Sequence, residues 1–175
     1  MQPNLDNVKK KIQENRDLID RIIVKFPGFK GYVEKAESYD ADRVVRSLIV
    51  DRIQGMKNDV SAKSSALVKK NAHASLIDLD ALSLRLETVI KKCQHADFGT
   101  TASMSQLKIS EDDKNRLLEY DWRLITALDD LDKQVKDLAA SPDEGLASSI
   151  SGIDGKLREF EKNFDDRKNV LLEVL

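Results

Sequence analysis

"DLAASPDEGL", Asp137 to Leu146, decides how this chain is built. Upstream of it Leu117, Asp121, Leu124, Leu128, Leu131, Val135 and Leu138 recur at alternating spacings of four and three. Downstream, Leu146, Ile150, Ile153, Leu157, Phe160, Phe164, Arg167 and Leu171 do the same. Such spacing lays one stripe along an α-helix, and stripes this long look like coiled coil in isolation. Only the short connection from Ala139 to Pro142 separates them. Proline cannot continue a helix interior, and so short a joint folds its two helices back on each other. The expected unit is an αα-hairpin. Ser141 is the expected N-cap of its second helix, Pro142 the first helical residue and Glu144 the partner that closes a capping box.

The same periodicity extends toward the N-terminus. Leu5, Val8, Ile12, Ile19, Ile22 and Phe26 form a first stripe that stops at Pro27-Gly28. Val44, Val45, Leu48, Ile49, Ile53, Met56 and Val60 form a second, with Gly55 the expected place for a bend. Leu79, Leu82, Leu86, Val89, Cys93 and Ala96 form a third, with Asp78 as expected N-cap. Residues 97–110 carry no helical stripe and read as a surface loop, after which Ser110 is placed to cap the next helix. The predicted fold is all-α, an antiparallel bundle of about five helices over approximately 5–26, 32–70, 78–96, 111–139 and 142–172. It forms one domain over 1–175.

Composition agrees. The 175 residues suffice for one core, and at 41% hydrophobic and 34% charged they suit a bundle with solvated outer faces. Only 3 Pro and 7 Gly interrupt the chain, too few for an architecture of strands and turns. The single cysteine, Cys93, excludes an internal disulfide framework. The opening residues lack a signal-peptide core, and no apolar run approaches a membrane span of roughly 18 residues, so the expected location is cytoplasmic. Net charge is −2 but uneven. Residues 1–75 hold 15 Lys/Arg against 10 Asp/Glu, and residues 76–175 hold 14 against 21. That split is expected to bring basic and acidic faces together within the bundle.

Three polar residues, Asn15, Asp121 and Arg167, occupy positions that the stripes reserve for apolar side chains. A buried carboxylate is costly unless paired, so Asp121 is expected to pair with Arg43, Arg46 or Arg167. The favoured role is to fix helix register. The alternative is a polar pocket for a small ligand around Asp121, Tyr120 and the Arg43/Arg46 pair.

Catalytic and metal-binding patterns are missing. His73 and His95 belong to no Glu-x-x-His or His-Glu-x-x-His motif, and Cys93 has no second cysteine to share a zinc ion. "DFG", Asp97 to Gly99, lacks every companion of the kinase motif. No P-loop, dinucleotide fingerprint or calcium loop is present. Neither metal nor cofactor is expected, and a non-enzymatic protein is favoured. Lys9, Lys10 and Lys11 give the first helix a basic side, which makes a peripheral membrane protein a further alternative. Aromatic residues, at 5%, are too few to stack nucleic-acid bases.

"PGFKGYVEKAESYDADRVVR" and "LLEYDWRLITALDDLDKQV" together resemble a group of uncharacterised bacterial all-helical proteins. That group has a Pro-Gly-aromatic-x-Gly-Tyr corner and an Asp-Arg pair on a charged helix. The resemblance implies an all-helical domain and no established activity. At that corner Phe26, Phe29 and Tyr32 are expected to pin the chain against the bundle, and Phe29 with Tyr32 is a candidate contact patch. The functional expectation is a helical interaction or scaffold module with a protein partner, a homo-oligomer being one form of it. Its contacts would use that corner or the 97–110 loop.

Overall fold

The computed structural model describes residues 20, 39–96, 111–143 and 145–174. Among them the chain is all-α, with four helices and no strand. α1 runs Tyr39–Lys69, α2 Leu76–His95, α3 Glu111–Ala140 and α4 Leu146–Val174. Apart from Asp20, the predicted first helix over 5–26 lies outside the described residues, as do the Phe29/Tyr32 corner, Asn15, the 97–110 loop and the Ser110 cap. α1 passes through Gly55 as one helix of 31 residues, about 46 Å long.

Two hairpins lie side by side. α1 packs on α2 and on α3, and α4 packs on α3 and on α2. Ion pairs fix the directions. Lys57 on α1 meets Glu87 on α2 at 3.0 Å, across the first hairpin. Arg52 reaches Asp129 and Asp132 on α3, while Lys63, three turns further along α1, reaches Asp143 beyond the end of α3. Rising numbers on both sides make α1 and α3 parallel. Arg85 and Lys92 on α2 reach Glu161 and Asp165 on α4 in the same sense. Both turns, 70–75 and 141–145, therefore lie at one end of the bundle. The start of α1 and the end of α2 share the opposite, open end with the start of α3 and the end of α4.

Every described residue of the α4 stripe is buried: Leu146, Ile150, Ile153, Leu157, Phe160, Phe164 and Arg167. α3 buries Asp121, Leu124, Leu128, Leu131, Val135 and Leu138 from its stripe and adds Ile125. α1 contributes Val45, Ile49, Ile53, Met56, Val60 and Leu67, and α2 contributes Leu79, Leu82, Leu86, Val89, Ile90 and Cys93. Apolar area removed from water at this scale is the main driving force for joining the hairpins.

Two helix starts differ from expectation. The Leu79 N–H bonds the Ser75 carbonyl at 3.0 Å, so Ser75 takes the N-cap position of α2 and Asp78 sits within the first turn. There its carboxylate still faces the positive end of the helix dipole. Ser141 is not the cap of α4. Its N–H bonds the Leu138 carbonyl at 3.2 Å and its hydroxyl bonds the Asp137 carbonyl at 2.6 Å, so it closes α3. Asp143 is paired instead with Lys63 and Lys70, and Gly145, at φ 73°, precedes the first helical residue, Leu146. Glu144 lies outside the described residues. α1 ends in a Schellman arrangement, with Ala72 N–H bonded to the Leu67 carbonyl and Asn71 N–H to that of Val68. Asn71 supplies the left-handed residue, at φ 55°.

Candidate functional site

Asp121 and Arg167 face each other across the α3–α4 hairpin toward the open end. Arg167 Nε donates to Asp121 Oδ1 at 2.6 Å and Nη2 to Oδ2 at 3.1 Å. Such a two-pronged contact is the strongest geometry an ion pair adopts. Both side chains are 0% exposed. Their placement follows from the stripe: each occupies a core position, so folding the hairpin delivers charge to charge at the level where Leu124 and Phe164 continue the apolar seam. Leaving either partner uncompensated in that setting is costly, so the pair disfavours any slip of α4 along α3.

The neighbouring Tyr120 makes a second tie across the same hairpin. Its hydroxyl donates to the Asn163 carbonyl at 2.6 Å, and burial pushes its pKa up. Arg46 serves a different joint. Its guanidinium donates to the carbonyls of Ala96 at 3.0 Å and Gln94 at 3.5 Å, at the negative end of the α2 dipole. The side chain of Arg43 lies outside the described residues. Among the residues proposed for a polar cluster, the structure thus joins Asp121 to Arg167, places Tyr120 beside them on α3, and turns Arg46 toward the end of α2.

Lys63 is the charged core residue that the sequence reading missed. Continuing the four-and-three count of α1 past Val60 would have reached it before Leu67. Its ammonium donates to the Ser141 carbonyl at 2.6 Å and to Asp143 Oδ1 at 3.1 Å, while Lys70 holds Asp143 Oδ2 at 2.8 Å. Hydrogen bonds from Lys70 and then Lys63 hold the Asp143 carboxyl below its usual range. On the first hairpin, hydrogen bonds from Lys91 and Lys57 bring Glu87 down to about 2. Carboxyls depressed on folding stabilise the native state above their unfolded pKa and lose that contribution as pH falls through the folded value. The thermal midpoint is therefore expected to drop as pH is lowered from about 4.5 toward 2. Glu87→Gln should flatten that slope by lowering the midpoint at neutral pH while changing little near pH 2; an unchanged slope would remove Glu87 from the account.

The remaining candidates offer little chemistry. Cys93 is buried, and burial pushes its thiol up to about 12, far from a reactive thiolate. His95 is exposed on α2. Among the described residues no three His, Cys, Asp or Glu side chains are grouped to hold a metal ion. Asp129 and Asp132 tie α3 to Arg52 of α1, and Asp165 ties α4 to Lys92 of α2. Among the described residues no helix is long and apolar enough to cross a membrane. Comparison with protein-family models, curated proteins and solved structures gives no match.

Proposed function

We propose that the chain is a cytoplasmic, non-enzymatic interaction or scaffold module. In this reading residues 1–175 form one antiparallel bundle, with 5–26 as a fifth helix, and a protein partner or a further copy binds its surface. The observation that carries this reading is the complete burial of the Asp121–Arg167 pair. The most chemically distinctive side chains are turned on each other inside the core, where a substrate or small ligand would have to break their mutual contact to reach them. Functional contacts are then left to the surface. The resemblance to uncharacterised all-helical proteins fits this proposal and brings no activity with it.

The test uses a double variant, Asp121→Leu with Arg167→Met, which removes both charges and keeps an apolar core. Tagged parent and variant chains are compared by capture from a cytosolic extract and by circular dichroism. The interaction reading expects the same captured set with both chains. A variant that keeps its helicity but loses the set would favour the ligand pocket instead.

A further inference from the structure

Among the described residues, the ion pairs that join the two hairpins share one polarity. Arg52 meets Asp129 at 3.2 Å and Asp132 at 3.4 Å, and Lys63 and Lys70 meet Asp143 at 3.1 and 2.8 Å. Across the second seam Arg85 pairs with Glu161, while Lys92 reaches Glu161 at 3.1 Å and Asp165 at 2.5 Å. In each of these pairs the cation belongs to the first hairpin and the carboxylate to the second. Both hairpins carry charges of both signs elsewhere, as at Lys57–Glu87 and Lys136–Asp132. The polarity therefore belongs to the seams.

We propose that the carboxylate face of the second hairpin recognises the first hairpin of a second copy as well as its own, so that two chains exchange hairpins and build two bundles between them. The proposal rests on the interaction reading above and names its partner as another copy of this chain.

Charge is the first argument. Two copies can pair their hairpins first with first, second with second, or first with second. The first two arrangements set like charges face to face, which is repulsive. Only the third brings cation to carboxylate, and it is the pairing already made within the single chain.

Apolar cover is the second. The core is one cluster drawn from all four helices, so a hairpin that leaves its own partner bares its buried stripe to water. A second copy offers the same cover, because exchange remakes between chains the contacts it breaks within them.

Reach is the third. α2 ends and α3 starts at the open end, and residues 97–110 connect them. Those 14 residues can span up to about 46–50 Å, several times the spacing of about 8–10 Å between packed helices. A connection of that length can lead to its own bundle or to a neighbouring one. It also holds the tethered hairpin at an effective concentration in the millimolar range, so the parent chain is single at micromolar concentration and exchanges as the concentration rises.

The experiment reverses one seam in full-length chains. Arg85→Glu with Lys92→Glu makes the first hairpin's side of the α2–α4 seam acidic, and Glu161→Lys with Asp165→Lys in another chain makes the second hairpin's side basic. Either variant alone then repels itself along that seam. Exchange between the two removes the repulsion twice: the reversed hairpins meet each other, and so do the unaltered ones. Equal amounts, unfolded together by heat and cooled at micromolar concentration, should therefore show a twofold rise in mass by light scattering and a thermal midpoint above that of either variant. Neither variant should dimerise with the parent, because that exchange leaves one seam repelling, as in the separate chains. Variants that stay single when mixed overturn the proposal, whether or not each folds alone. Equal dimerisation with the parent overturns it too, since exchange would then ignore charge. Both results leave the interaction reading standing, because the set captured by the parent chain is measured without exchange.

Discussion

Asp121→Leu alone is expected to destabilise the bundle by about 3–5 kcal/mol, whereas Asp121→Leu combined with Arg167→Met should match or exceed the parent. The single change removes the carboxylate that accepts at 2.6 and 3.1 Å from the guanidinium of Arg167, a side chain that is 0% exposed. Losing those two charge-assisted bonds to a desolvated cation is the cost. The double change removes the cation as well, so the seam closes over apolar side chains and neither desolvation penalty is incurred. Urea unfolding midpoints of the four chains in the cycle provide the measurement. An unchanged midpoint for Asp121→Leu would mean that Arg167 is satisfied without Asp121. A double variant that is more stable but binds a hydrophobic dye would show that the pair is retained for unique packing rather than for stability.

Phe160→Ala is the second large effect, at about 3–5 kcal/mol. Phe160 is among the largest fully buried side chains, and its ring stacks on that of Phe164 with centroids 6.5 Å apart and planes at 25°. Truncation removes the transfer free energy of the ring, leaves a cavity, and breaks an aromatic pair worth about 0.5–1.5 kcal/mol beyond its area. For a chain of this size the thermal midpoint should fall by roughly 6–20 °C. Phe160→Leu should cost clearly less, because it retains most of the volume. Equal losses from the two variants would argue that ring stacking, not volume, dominates at this position.

The core was legible in the sequence because a helix encodes its buried face in one periodicity. The α4 stripe from Leu146 to Arg167 was read directly, and the hairpin that brings Asp121 to Arg167 followed from the shortness of the connection from Ala139 to Pro142. Helix starts were harder to read because capping residues compete. Ser141 and Asp143 both carry the chemistry of an N-cap, yet Ser141 bonds back to Asp137 and Asp143 is taken by Lys63 of α1 and by Lys70 just beyond its end. Nothing local to "SPDE" reports those lysines. Arg46 illustrates the same limit: three residues from Arg43 on one helix, it serves the end of α2, a choice made by tertiary distance. Lys63 was missed for a different reason, since its long stem fills an apolar position while its ammonium finds carbonyl and carboxylate oxygens.

The side-by-side pairing of the two hairpins also has a kinetic consequence. Contacts within a hairpin close short loops, as between Lys57 and Glu87, 30 residues apart. Lys63 and Asp143, which tie one hairpin to the other, are 80 residues apart. Longer loops cost more entropy before their contacts form, so each hairpin assembles first and their docking completes late. Interactions made after the rate-limiting step act on the escape from the native state. Lys63→Met should therefore steepen the loss of native protein, seen as a faster unfolding limb, and leave the refolding rate nearly unchanged. The lysine at the turn end then acts as a latch on lifetime: it sets how long the assembled bundle persists, with little say in how quickly it forms.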